Sequence, residues 1–144
     1  MQMSGEIADC VFCKIIVDQA PSEKIYEDDV VICIKDIKPA SKHHYLIIPK
    51  THIENAKTMQ GPEDEKTLEH MVKVLTTLSE IKGIDLNDAR IGFHWPPFNS
   101  VNHLHLHVIS PVGNMGFLGQ MIFLPNSLWF TSIDYVRSRL RTCS

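Results

Sequence analysis

The run His103-Leu104-His105-Leu106-His107-Val108-Ile109 alternates strictly, which predicts a strand over 103–110 with three histidines on one face. Leu104, Leu106 and Val108 then face a core. Near the start of the chain, Val11, Phe12, Ile15 and Ile16 share one side of a short helix over 10–17, capped by Asp9 and stopped ahead of Pro21. The runs 24–27 and 30–35 flank Asp28-Asp29 and read as a hairpin, and 44–49 supplies a third apolar strand after the Lys38-Pro39 break. Leu68, Met71, Val72, Leu75, Leu78 and Ile81 form the stripe of a helix over 62–82, with acidic residues at 63–65 in its first turn and Gly83 closing it. A fourth strand is expected over 89–93. The following Trp95-Pro96-Pro97-Phe98-Asn99-Ser100 segment cannot join a ladder and must be a loop. After 113–119 the pattern predicts a strand over 120–123 and a final helix over 132–141. These elements predict an α+β fold, an antiparallel sheet of about five strands with helices packed on it. One domain should span 1–144, with 1–8 flexible and 113–144 packed on it as an extension.

Composition narrows the function. The 144 residues are 44% hydrophobic, enough for one buried core, and carry a formal charge of -3. With a pI near 6.2, that charge argues against a broad nucleic-acid surface. The longest apolar runs are strand length, far short of the roughly 20 residues that span a membrane, and the polar 1–9 is no signal peptide. Four cysteines, two of them spaced as Cys10-x-x-Cys13, do not make a secreted disulfide framework. A reducing compartment is expected, the cytosol, with the nucleus left open. Cys33 reads as core filler, His43 and His70 as solvent-facing. Trp129 and Phe130 either pack the last helix or cover a dimer seam, packing being preferred.

A strand rises about 3.3 Å per residue, so His103 and His107 lie roughly 13 Å apart, too far to ligate one metal ion. The histidines must divide their labour. Imidazole titrates near about 6.5 and serves as base or acid. His105 and His107, roughly 6.6 Å apart along the strand, suit the flanks of one tetrahedral phosphate. His105 can then form a phosphoryl-histidine intermediate, with His107 and His44 holding charge or carrying protons and Ser100 meeting the leaving group. A surface strand with fortuitous spacing and a metal site built on one His-x-His pair remain as alternatives.

The pattern His-φ-His-φ-His-φ-φ resembles the histidine triad superfamily of nucleotide hydrolases and transferases. The likeness continues through Asp9-Cys10-Val11-Phe12-Cys13-Lys14-Ile15-Ile16, Tyr26-Glu27-Asp28, Lys35-Asp36-Ile37-Lys38-Pro39 and His44-Tyr45-Leu46-Ile47-Ile48-Pro49-Lys50, in order. Within the superfamily the chain resembles the histidine triad nucleotide-binding (Hint) branch. That resemblance implies a purine nucleoside phosphoramidase that cleaves the P–N bond of adenosine 5'-phosphoramidates, and aminoacyl-adenylates as well, through an adenylylated His105. It implies His107 and His44 on the phosphate side, Ser100 and Val101 at the phosphate and leaving group, Asp36 on the ribose, and Val11, Phe12, Ile15, Ile34 and Ile37 around the purine. Asn99 and His94 fall among the nucleotide-binding positions, His94 where the better-studied Hint proteins carry asparagine. No cofactor is implied for catalysis, and a homodimer is. The Cys10-x-x-Cys13 pair is half of a zinc site; similarity to some members implies His52 and His103 as its other ligands, against two buried free thiols as the plain alternative. The rival activities are dinucleoside polyphosphate hydrolysis and, because the C-terminal tail resembles the aprataxin branch, removal of AMP from DNA ends. The second ranks lower, since only Cys143 follows the triad and no zinc-finger module is present. A non-catalytic nucleotide-binding or scaffold domain is the remaining reading.

Overall fold

Alternation along the central strands sorts their side chains into two cores, one on each face of a single sheet. The computed structural model describes residues 10–143. Its strands are β1 (Lys24–Glu27), β2 (Val31–Lys35), β3 (His43–Pro49), β4 (Arg90–His94), β5 (Leu106–Ser110) and β6 (Phe130–Thr131). All pairings are antiparallel and the order is β1-β2-β3-β5-β4-β6. On one face Val31, Cys33, Tyr45, Ile47, Leu106 and Val108 pack under the long helix α2 (Gly61–Lys82) through Leu68, Met71, Leu75 and Leu78. On the other, Ile32, Ile34, Leu46 and Ile48 pack against Phe12 and Ile15 of the short helix α1 (Val11–Ile16). Burial of both faces explains why β2 and β3 read as continuous apolar runs. Burying a side chain such as Leu106, wholly inaccessible here, contributes about 1.5–3 kcal/mol.

Asp28 fixes the first hairpin. Its Oδ1 accepts from the amides of Val30 and Val31 at 2.7 and 2.9 Å, and its Oδ2 takes the Tyr26 hydroxyl and His70 Nε2 at 2.8 and 2.7 Å. His70 is therefore half-buried and hydrogen-bonded to Asp28 rather than solvent-facing, and His43 likewise is half-buried with Nδ1 3.1 Å from the Tyr45 hydroxyl. Gly83 ends α2 with φ +67, a left-handed conformation suited to glycine.

The α+β arrangement is as expected, with a sixth strand of only two residues, Phe130–Thr131, added beside β4. Three other expectations need correction. Residues 120–123 are not a strand: Gly116–Ile122 is a helix, α3, whose buried neighbours Met115 and Phe123 lie on the face of Gly119, next to Ala40. Trp129 and Phe130 do not pack the last helix, α4 (Ile133–Cys143). Phe130 joins Ile109, Met115 and Phe123 in a third cluster, Trp129 stands edge-on to Phe98, and it is Trp95 that meets Tyr135 of α4. Finally, the regular ladder of β5 begins at Leu106 rather than His103, since the last pairs are Ile47 with Leu106 and Gly92 with His107. The Asp9 cap and the stretch 1–8 lie outside the described residues; within them Cys10 caps α1, its sulfur accepting from the Cys13 amide at 3.4 Å. No helix among the described residues is long and apolar enough to cross a membrane.

Candidate active site

The register that pairs Leu46 with His107 and His44 with Ile109 puts both histidines on the sheet face covered by α1. The sequence places His105 and His103 on that same face, and Phe12 of α1 meets them edge-on, with ring centroids 5.0 and 6.0 Å away. All four imidazoles are buried. Residues 103–105 lie outside the ladder, and their backbone is engaged elsewhere. Leu104 N–H donates to the Ile53 carbonyl at 2.7 Å, and the His103 carbonyl accepts from His105 Nδ1 at 2.7 Å.

Hydrogen bonding dictates the tautomers. With Nδ1–H donated to the His103 carbonyl, His105 keeps its lone pair on Nε2. The Ala40 amide donates to His44 Nδ1 at 2.9 Å, so His44 carries its proton on Nε2. That Nε2–H reaches His107 Nδ1 at 3.0 Å, with an Asp36 carboxylate oxygen 3.3 Å away. His107 must then hold its proton on Nε2, and this atom is buried without a hydrogen-bond partner. A buried N–H left unpaired costs about 1–3 kcal/mol. The pocket thus presents one nucleophilic lone pair and one orphaned donor from adjacent same-face positions, their rings 4.9 Å apart.

Burial keeps these rings neutral. It pushes His44 down to about 4, outweighing the opposing pull of Asp36, and takes His107 well below the ordinary histidine range. His105 and His94 are lowered by the same cause. Neutrality is what leaves Nε2 of His105 free to attack.

The remaining expected positions fall around this centre. Val11 and Ile37 are exposed, whereas Phe12, Ile15 and Ile34 are buried. Asp36 turns one oxygen to the Lys38 amide at 2.8 Å and the other to His44. Ser100 is exposed and Val101 packs half-buried on the α1 cluster. Asn99 donates to Asn102 Oδ1 at 3.0 Å and lines, with His94 and Val101, a small cavity at His105. His94 Nε2 donates to the Ile122 carbonyl at 3.2 Å, and its ring lies 4.9 Å from that of His107. Two participants were not foreseen. Phe123 walls the site, with centroids 5.0, 5.0 and 5.4 Å from His107, His94 and His44, and the Ala40 amide fixes the tautomer of His44. The spacing of four between Met115, Gly119 and Phe123 is the available signal for the first; nothing local marks the second.

Beneath the triad, Cys10, Cys13, His52 and His103 converge, their ligand atoms all within 4.8 Å of one another. Sulfur-to-Nδ1 distances are 3.4 Å for Cys10–His103, 3.3 Å for Cys13–His52 and 3.5 Å for Cys13–His103, and the two Nδ1 atoms are 3.1 Å apart. Bond lengths of about 2.0–2.1 Å to nitrogen and about 2.3 Å to sulfur give tetrahedral edges of roughly 3.3–3.8 Å. The three sulfur–nitrogen edges fall in or at the limit of that range, and the nitrogen–nitrogen edge is slightly shorter. His103 Nε2 donates to the Pro49 carbonyl at 2.8 Å, which bares Nδ1 toward the cluster as a metal-binding imidazole requires. Asp36, His44 and His107 also converge, but there His44 Nε2 already faces His107 Nδ1 and an Asp36 oxygen.

Comparison with known proteins places the chain among relatives. The family described as scavenger mRNA decapping enzyme C-term binding matches residues 9–122. An adenosine 5'-monophosphoramidase HINT3 of Mus musculus is 42% identical over 93% of this chain and 82% of its own length, and its Xenopus tropicalis counterpart is 42% identical over 92% and 87%. A bifunctional adenosine 5'-phosphosulfate phosphorylase/adenylylsulfatase HINT4 of Arabidopsis thaliana is 42% identical over 73% and 72%. Among solved structures, a HIT family hydrolase from Clostridium thermocellum superposes with a TM-score of 0.67 at 40% identity, covering 72% of this chain and 91% of that one. With the ordered motifs, the buried histidines and these relatives in agreement, the chain belongs to the histidine triad family, on its nucleotide-binding branch.

Proposed function

We propose that this protein hydrolyses the P–N bond of adenosine 5'-monophosphoramidates, with aminoacyl-adenylates as further substrates, through an AMP group carried on His105. The observation that carries the reading is the pairing of a bare His105 Nε2 with the orphaned Nε2–H of His107 in one buried pocket. In the first step the His105 Nε2 lone pair attacks phosphorus, and the P–N bond breaks with its electron pair leaving on nitrogen. That nitrogen takes a proton from the solvent side, where Ser100 is exposed. His107 Nε2–H donates to a non-bridging oxygen, whose growing charge it stabilises, and His44 holds His107 in the donating tautomer. Water then attacks the same phosphorus, the P–Nε2 bond breaks back to His105, and AMP leaves. Val11, Phe12, Ile15, Ile34 and Ile37 hold the purine, Asp36 accepts from the ribose hydroxyls, and His94, Asn99 and Val101 border the phosphate.

Cys10, Cys13, His52 and His103 would hold a structural zinc ion, which would supply cross-linking of α1 to the sheet and takes no part in the chemistry. Phe117, Leu118 and Leu128, apolar yet 83%, 70% and 83% exposed, support a homodimer that covers them.

The test is release of amine from an adenosine 5'-phosphoramidate, beside turnover of a dinucleoside polyphosphate. Faster turnover of the phosphoramidate is expected. Faster turnover of the polyphosphate, or none of either, overturns the reading.

A further inference from the structure

Resting on the phosphoramidase reading, we propose that Glu54 selects the leaving group, favouring amines that carry a second positive charge over neutral or anionic groups. A cavity of about 350 Å³ opens beside the catalytic loop, lined by Cys10, Val11, His52, Glu54 and residues 100–102. Its size suits a small organic substituent. Of the residues assigned to the nucleoside, Phe12, Ile15, Ile34, Asp36 and Ile37 do not line it, and only Val11 reaches its rim. The space is therefore left over once the nucleoside is seated, and it lies on the side of Ser100. Glu54 also lines the small cavity at His105, together with Asn99 and His94. Glu54 thus lines both the cavity at His105 and the open cavity.

Its backbone is held firmly on both sides. The Ile53 carbonyl accepts from Leu104 N–H at 2.7 Å, one residue before the nucleophile. Asn55 accepts from the amides of Lys57 and Thr58 at 3.0 and 3.1 Å and so anchors the following turn. Glu54 itself enters no ion pair or hydrogen bond among the described residues, and the cavity lining contains no lysine or arginine. An exposed carboxylate on this anchored backbone, beside a cavity lined by no lysine or arginine, attracts an ammonium group and repels sulfate or a phosphate chain. Glu54 touches no reacting atom in this scheme. It acts as a specificity residue on the departing half of the substrate.

The experiment compares kcat/KM for two adenosine 5'-phosphoramidates of matched length, one with an uncharged alkylamine and one with a diamine bearing a distal ammonium, and for adenosine 5'-phosphosulfate. The wild type should prefer the diamine substrate about threefold to tenfold, a preference that shrinks at high ionic strength. In Glu54→Gln the ratio should collapse toward one, and in Glu54→Lys it should invert, with turnover of the phosphosulfate rising. Equal use of both phosphoramidates by the wild type overturns the inference alone. Parallel loss on both substrates in Glu54→Gln, with the ratio kept, does the same. Turnover of neither phosphoramidate by the wild type overturns the phosphoramidase reading and this inference with it.

Discussion

His44 Nε2 lies 3.0 Å from His107 Nδ1, and this one hydrogen bond decides which nitrogen of His107 carries its proton. Because Ala40 N–H occupies the other nitrogen of His44 at 2.9 Å, the chain of donors runs in a single direction and ends at the unpartnered His107 Nε2. His44→Ala breaks the chain while leaving the nucleophile in place. Its kcat on an adenosine 5'-phosphoramidate should fall about 10²–10³-fold, measured by steady-state amine release. A variant within a factor of about two of the wild type would show that the His107 tautomer does not matter to the rate.

The metal cluster predicts a bound ion. Purified protein should contain about one zinc per chain by elemental analysis, and Cys13→Ser should lose the metal and several degrees of Tm together. Wild-type protein refolded with zinc yet binding none would leave Cys10 and Cys13 as plain buried thiols.

Acid should destabilise the fold through its buried histidines. Burial places the folded pKa of His44 at about 4, below the ordinary 6.5, so the unfolded chain takes up the proton first as pH falls. Stability is fully present above 6.5 and drains away down to about 4; His44 alone accounts for about 2 kcal/mol by pH 5. Urea unfolding at pH 7.5 and pH 5 reads this directly. Equal stability at both values would mean that these rings ionise freely in the folded protein.

Gly92 sits where β6 crosses β4, and a side-chain carbon there would press on the Thr131 carbonyl and the Phe130 ring. Gly92→Ala should therefore cost about 1–3 kcal/mol in urea unfolding. A neutral effect would indicate that the β4–β6 contact yields easily.

Elements with long, regular periodicity were legible in the sequence. The stripe of Leu68, Met71, Leu75 and Leu78 specified α2, and the alternation from Leu104 to Val108 specified the orientation of the triad. Short elements defined by tertiary contact were not. Phe130–Thr131 is too brief to show a period and exists because β4 offers an edge. Residues 120–123 mimic a strand in composition, yet Phe123 points inward as the last step of a helical spacing while Phe117, Leu118, Met121 and Ile122 stay exposed. At the site, the alternation was enough to gather His103, His105 and His107 on one face. It carried no trace of Ala40, a backbone donor, of Phe123, brought in from the C-terminal segment, or of Glu54, whose placement depends on where residues 100–102 fold.

The proposed reaction is covalent, with AMP carried on His105. Wild-type protein mixed with an adenosine 5'-phosphoramidate, quenched within the first turnover and analysed by peptide mass spectrometry should show AMP attached to the peptide containing His105, and His105→Ala should show none. Turnover by the wild type without an adduct, or an adduct that persists in His105→Ala, would contradict the account.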